Sequence, residues 1–253
     1  MKRDIQSLAN GLDIIDLLVE ADRPLGVTEL ATKMNLDKST VYRLLSTLVN
    51  RSYVYQEAET RRYLPSLKII THARKIINDI QLRSVARPYL KRLTLATGES
   101  SDLAILAGLR VVYIDHEDTV SSLNVQAEIG QIAPPYCTAL GKALTVQYSA
   151  EELQNLYKDY VFRRFTSKTI TDINELIAHL KVVKERGYAM DEEEYNFGVS
   201  QIAAPIFDYS NKVVAALGIS GPSIRITSER IEELTRYVVD AAHEISVKIG
   251  QRA

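Results

Sequence analysis

The stretch that most restricts this chain is 28–48, where two short apolar-periodic segments are separated only by Asn35-Leu36-Asp37. In the second, Val41, Leu44, Leu45 and Leu48 stand at i, i+3, i+4 and i+7, which predicts a helix with one buried face. Asp37 is placed to cap its start, as Thr28 is for the shorter helix that carries Leu30, Ala31 and Met34. A first amphipathic helix over 5–21 has its apolar stripe at Leu8, Leu12, Ile15, Leu18 and Val19, and Arg23-Pro24-Leu25-Gly26 ends it. Two helices joined by so tight a turn, leaning on a third, have few ways to pack.

The other face of the third helix holds Lys38, Ser39, Thr40, Tyr42, Arg43 and Thr47, a dense set of hydrogen-bond donors at and after a helix start. Free backbone N–H groups there suit a phosphate, and Arg and hydroxyl side chains can reach base edges in a major groove. Tyr53–Gln56 and Arg61–Leu64 read as two short strands around a charged loop at 57–60, a wing that sets Arg61 and Arg62 beside a DNA backbone. Three helices and a hairpin make a winged helix-turn-helix. Such cores also serve as protein-interaction modules, and the polar-basic face favours DNA.

Net charge is -1 and lends no support to nucleic-acid binding by itself, so distribution has to decide. From Lys68 to Arg92 the bases Lys68, Arg74, Lys75, Arg83, Arg87, Lys91 and Arg92 face a single acid, Asp79, a run that fits either a solvated helix face or phosphate contacts. With 46% hydrophobic and 25% charged residues the chain reads as globular. No run reaches the roughly 18 apolar residues of a membrane span, and the N-terminus turns acidic before a signal sequence could form; the expectation is a cytoplasmic protein without a membrane partner. Cys137 is the sole cysteine and the histidines are scattered, so neither a disulfide nor a zinc cluster is expected.

Beyond a helical stretch with stripes at Ile69, Ile70, Ala73, Ile76, Ile77 and then Val85, Tyr89, Leu90, Leu93, broken near Arg87-Pro88, the texture changes. Segments 101–107 and 111–115 form a hairpin around Gly108-Leu109-Arg110, and 123–129 is a further candidate strand. Helices are expected from Thr138, over 150–157, over 172–186 with Gly187 closing it, and over 228–249; strands are expected at 188–191, 199–207 and 213–220. Hairpins among so many strands favour an α+β fold with a mixed or antiparallel sheet over a doubly wound one.

Catalytic and cofactor constellations fail on inspection. Gly141-Lys142 lacks the glycine of a phosphate loop, Tyr136 standing there, and Ala143 replaces the hydroxyl that would hold magnesium. The acidic run 191–194 has carboxylates pointing in different directions and no histidine near it in sequence, so a capping or solvated loop is the better reading. Cys137 with His116 lacks a third orienting group. No catalytic residue, metal or cofactor is assigned. Glycines and alanines at turn–strand junctions suit either tight turns or a small-ligand pocket.

Over nearly its whole length the chain resembles IclR-type transcriptional regulators. Ser7-Leu8, Gly11-Leu12, Ile15, the run Leu36 to Leu45 and Leu48 resemble that family's winged helix-turn-helix. Ala139-Leu140-Gly141-Lys142-Ala143, Asp191-Glu192-Glu193, Gly198, Ile202 to Ile206 and Ile219-Ser220-Gly221-Pro222 resemble its effector-domain signature. The resemblance implies a DNA-binding domain over 1–66, a helical linker over 67–84 and a GAF-like effector domain over 85–253, with a curved, mainly antiparallel sheet and flanking helices. It implies homodimers or tetramers on palindromic double-stranded operator DNA, contacted through Thr28, Lys38, Ser39, Thr40, Tyr42, Arg43, Thr47, Arg61 and Arg62. It implies a small organic acid effector at Val125, Ala133, Ala139, Leu140, Asp191, Val199, Gln201, Gly218 and Ser220. The pattern associated with small 2-oxo acids has cysteine at the position of Gln201 and serine at that of Gly218. Gln201 both donates and accepts, and Gly218 leaves space, so a larger polyhydroxy or sugar-derived acid is expected. Repression relieved by ligand is the expected sign.

Overall fold

A computed structural model describes residues 5–78 and 81–251. The chain forms two compact units, Met1–Asp79 and Ile80–Ala253.

In the first unit α1 (Gln6–Val19), α2 (Val27–Met34) and α3 (Lys38–Asn50) enclose a core of Ile14, Leu18, Leu30, Val41 and Leu45, closed by Leu25, Val54 and Tyr63. The hairpin β1 (Val54–Gln56) and β2 (Tyr63–Pro65) follows, then α4 (Leu67–Asn78). Asn35 takes the left-handed conformation (φ 52°), which turns the chain sharply between α2 and α3. Thr28 is not the cap of α2: the cap lies two residues earlier at Gly26, whose N–H donates to Glu29 Oε2 at 2.8 Å. The expected stripe of α1 is also revised. Ile14 and Leu18 are buried, while Leu8, Leu12 and Val19 stay 61%, 55% and 59% exposed, because α1 is apolar on two faces and its own core uses one.

The second unit opens with α5 (Gln81–Thr97), and Pro88 lies inside it, so the expected break near Arg87-Pro88 does not occur there. Arg87 holds that turn of α5 onto the sheet through Asp115 (3.0 Å) and Glu117 (2.6 Å), which offsets the lost Pro88 backbone donor. Much of the basic run is likewise engaged internally. Lys68 donates to the Arg51 carbonyl and lies over the Tyr53 ring, and Arg92 pairs with Glu244. The side chains of Ala73, Arg74, Lys75, Ile76 and Ile77, and Asp79 as a whole, lie outside the described residues.

One antiparallel sheet in the order β5-β4-β3-β8-β7-β6 organises the rest: β3 (Ser100–Ala107), β4 (Arg110–Glu117), β5 (Ile132–Ala133), β6 (Ala189–Glu192), β7 (Val199–Phe207) and β8 (Val213–Pro222). Leu103, Ile202, Ala204, Ile206, Leu217 and Ile219 point to the face covered by α5 and α9 (Ser228–Lys248). Alternate residues Ala104, Ala189, Ala203 and Ala216 point to the other, packed against α6 (Ala139–Thr145). The helices α7 (Ala150–Leu156) and α8 (Ile173–Arg186) cluster beyond Tyr136 and Cys137, and Gly187 (φ 81°) closes α8. The expected strand over 123–129 is an irregular segment without a ladder. The outer edge of β4 is taken by Ile132–Ala133 once the chain has turned at Gly130, and strand-like composition without a partner makes no strand.

Candidate nucleic-acid interface and effector face

On the first unit the residues opposite Val41 and Leu45 form the polar face of α3. Lys38, Ser39, Tyr42, Arg43 and Thr47 are exposed there and Thr40 is half-buried; Thr28 is exposed on α2. Asp37 occupies the cap position of α3, but its carboxylate makes no capping bond, so the first backbone donors of the helix are not taken by its side chain. Thr47 donates to the Arg43 carbonyl at 3.0 Å, which fixes its hydroxyl against the helix. Among the described residues Lys38, Arg43 and Arg61 form no ion pair.

The two wing arginines diverge. Arg61 is exposed, on a left-handed backbone (φ 58°) steadied by Gln56 Nε2 on its carbonyl at 3.0 Å. Arg62 reaches to α2, its Nη1 2.8 Å from Glu29 Oε2 and 3.0 Å from the Pro24 carbonyl. Glu29 also takes Arg23 at 2.7 Å, and that bond and the Gly26 N–H hold its carboxyl down at about 2. Glu29 thus ties the start of α2, the preceding loop and the wing together.

In the second unit the α6 face of the sheet carries polar side chains across five strands. Asp191 on β6 stands opposite Gln201 on β7, Gln201 opposite Ser220 on β8, and Asp102 on β3 opposite His116 on β4. Ser220 donates to Asp102 Oδ2 at 2.9 Å, and His116 Nδ1 meets Asp102 Oδ1 at 2.6 Å. Asp191, Gln201, Ser220 and Asp102 are all buried, and Gln201 Oε1 has no hydrogen-bond partner. The Tyr113 hydroxyl meets the Gln201 side chain. Burial pushes Asp191 up to about 7, against the Glu194 backbone N–H that favours its charged form. Lys142, fully buried on α6, is committed to Glu194 at 2.5 Å, so its cation is already matched.

The nine positions implied by the resemblance fall on this face or beside it. Asp191, Gln201 and Ser220 form its polar floor; Val199 is half-buried at the start of β7 on the Gln201 side of the strand. Ala139 and Leu140 of α6 pack with Ala133 of β5 in the apolar cluster over it. Val125 is half-buried in the irregular segment, two residues from Ala127, which joins that cluster. Gly218 does not open a gap: a Cβ there would lie 2.7 Å from the Ile202 carbonyl, so the glycine serves close approach of β7 and β8. Asp102, Tyr113 and His116 were missed from sequence. An Asp at the polar start of a strand that continues apolar, paired across a hairpin with a His, was the available signal.

His116 is engaged by Asp102 and, through Nε2, by Asp118 at 3.0 Å. Burial and the nearby Asp191 and Glu194 charges push the Cys137 thiol far up, so it stays protonated and unreactive. Among the described residues no group of His, Cys, Asp or Glu could hold a metal ion, and no helix is long and apolar enough to cross a membrane.

A profile of the bacterial transcriptional regulator IclR C-terminal domain matches residues 74–247, and one of the IclR helix-turn-helix domain matches residues 7–58. The HTH-type transcriptional regulator KdgR of Escherichia coli (strain K12) is 33% identical over 246 residues, covering 97% of this chain and 93% of its own. The HTH-type transcriptional repressor AllR of Salmonella paratyphi A is 32% identical over 249 residues, 98% of this chain and 92% of its own. The crystal structure of Thermotoga maritima IclR superposes with a TM-score of 0.77 at 30% identity, over 98% of this chain and 100% of that one. These relatives are transcriptional regulators, not enzymes. With a DNA-binding unit and a ligand-binding unit matched in the same order along the chain, this protein belongs to the IclR family of bacterial transcriptional regulators.

Proposed function

We propose that this DNA-binding regulator is a cytoplasmic repressor released from its operator by a small polyhydroxy organic acid held on the α6 face of the sheet. The observation that carries the ligand class is the buried, unpartnered Gln201 Oε1 across the ladder from Asp191. A buried acceptor without a donor favours a ligand that brings hydroxyl groups, because each hydroxyl both donates and accepts. A compound whose only polar group is a carboxylate would add acceptors to acceptors.

The domain bounds follow the same reading: 1–66 for DNA, 67–84 as linker and 85–253 for the effector. Lys38, Ser39, Thr40, Tyr42, Arg43 and Thr47 face the groove with Thr28 nearby, Arg61 touches the backbone, and Arg62 supports the wing from within. A palindromic operator calls for a homodimer, or a tetramer of two such pairs, and the exposed apolar face of α1, Leu8, Leu12 and Val19, suits contact with a second copy. A ligand that binds one arrangement of the dimer better shifts the spacing of the two recognition helices, and with it DNA affinity.

The test is thermal unfolding of the full chain against sugar acids, 2-oxo acids and aromatic acids. At a hundred times its Kd a sugar acid would add about 2.7 kcal/mol of stability. The same acid should release the protein from DNA. A rise with 2-oxo acids alone would overturn the polyhydroxy assignment.

A further inference from the structure

Glu99, just before β3, is a carboxylate with only 1% exposure. It is held by a fork from Arg225, in the turn between β8 and α9: Nε to Oε1 at 2.8 Å and Nη2 to Oε2 at 2.6 Å. Gly221 makes room for this pair, since a Cβ there would lie 2.3 Å from Glu99 Oε2. The remaining nitrogen of Arg225, Nη1, donates to the Leu123 carbonyl at 2.9 Å and to Ser121 Oγ at 3.2 Å. Arg225 therefore links the buried end of β3 to the irregular segment between β4 and β5.

That segment has firm ends. Thr119 donates to the Gly98 carbonyl at 2.8 Å, and the Gly130 N–H donates to the Tyr113 carbonyl at 2.7 Å. Ala127 packs into the cluster of Ala104, Tyr113, Ala139 and Leu140, so the far end of the segment lies on the α6 face. The bonds from Arg225 to Ser121 and Leu123 tie the segment down between its two ends.

We propose that Arg225 is a positioning residue of the effector face, holding segment 120–127 over the floor formed by Asp191, Gln201 and Ser220. This rests on the reading of that face as the effector site, but the tie itself is testable without a ligand. A guanidinium can bind Glu99 with two nitrogens and the segment with the third; an ammonium of Lys, a point charge on a flexible stem, can pair with Glu99 but cannot span both.

The experiment uses the full chain carrying a nitroxide at Gln126→Cys, an exposed position, with Cys137 buried and unlabelled. A control label goes on exposed Lys181 of α8 as Lys181→Cys. With Arg225 present the Gln126 label should give a slow-motion line shape. In Arg225→Lys it should shift towards the fast regime of free loops, on the order of nanoseconds, with the melting temperature and the Lys181 label unchanged. Arg225→Ala should do the same and also lower the melting temperature, because Glu99 is left buried without its fork. An unchanged Gln126 line shape in Arg225→Lys, or equal loosening at Lys181, would overturn the proposal. Failure of the ligand panel would overturn the effector reading and leave the tie standing.

Discussion

Gln201 and Asp191 face each other across the β6–β7 ladder, both buried, with Gln201 Oε1 free of any hydrogen-bond partner. A buried amide oxygen beside a buried carboxyl is expensive to keep unless something binds it. Gln201→Ala should therefore abolish the ligand-induced rise in melting temperature, with little effect on the unliganded protein. Full retention of the rise would remove Gln201 from the site.

Asp191 predicts a pH dependence whose sign is fixed by its raised pKa. Its folded value, about 7, lies above the ordinary 3.8, so the native state binds a proton that the unfolded chain has already lost, and stability falls as pH rises from about 3.8 through about 7. Asp191→Asn keeps the acceptor for the Glu194 N–H and removes the charge. It should raise stability by about 1–3 kcal/mol at pH 8 and change little at pH 4, the scale of desolvating a buried polar group. Melting curves at the two pH values check this.

His116 lies above its usual value, at about 9: burial pulls it down, but the Asp102 and Asp118 carboxylates outweigh that. A raised histidine contributes stability that is complete below about 6.5 and is lost as pH climbs through about 9. His116→Gln should flatten that alkaline decline. Because the pair with Asp118 reaches solvent, the effect is about 1 kcal/mol. A decline that persists unchanged in the variant would assign it to another group.

The two wing arginines should separate cleanly. Arg61→Ala should weaken binding to all DNA sequences and lower the salt slope by about 0.9 for the one phosphate lost. Arg62→Ala should instead lower the melting temperature of the first unit, since it unfastens Glu29 from the wing. Salt titrations and melting curves of both variants decide between these roles.

Arg43 is exposed on the polar face of α3 without an ion-pair partner among the described residues. Arg43→Ala should cost about 1–3 kcal/mol on the operator and little on random DNA if it reads a base. Equal losses on both would make it a backbone contact.

Gly141 of α6 sits against the chain: a Cβ would lie 2.3 Å from Pro135 Cα and 2.4 Å from its carbonyl oxygen. Gly141→Ala should destabilise by about 1–3 kcal/mol, the scale of forcing a methyl into packed backbone. A neutral melting temperature would show that the 134–136 turn can give way.

Local rules alone placed most elements. Spacing at Val41, Leu44, Leu45 and Leu48 located α3, Gly187 closed α8, and the alternation over 199–207 marked β7, because each depends on neighbours a few residues away. Sequence also indicated that Asp191, Gln201 and Ser220 belong together, through a resemblance and not through spacing. Tertiary structure decided what depends on distant partners. Segment 123–129 has strand composition but found no edge, Pro88 stayed helical where Asp115 and Glu117 hold Arg87, and Arg62 of the wing paired with Glu29 of α2. The buried company of Gln201, drawn from β3, β4, β6 and β8, exists only once strands far apart in sequence share one face, since side-chain periodicity tells which residues point the same way along a strand and not which strand lies beside it.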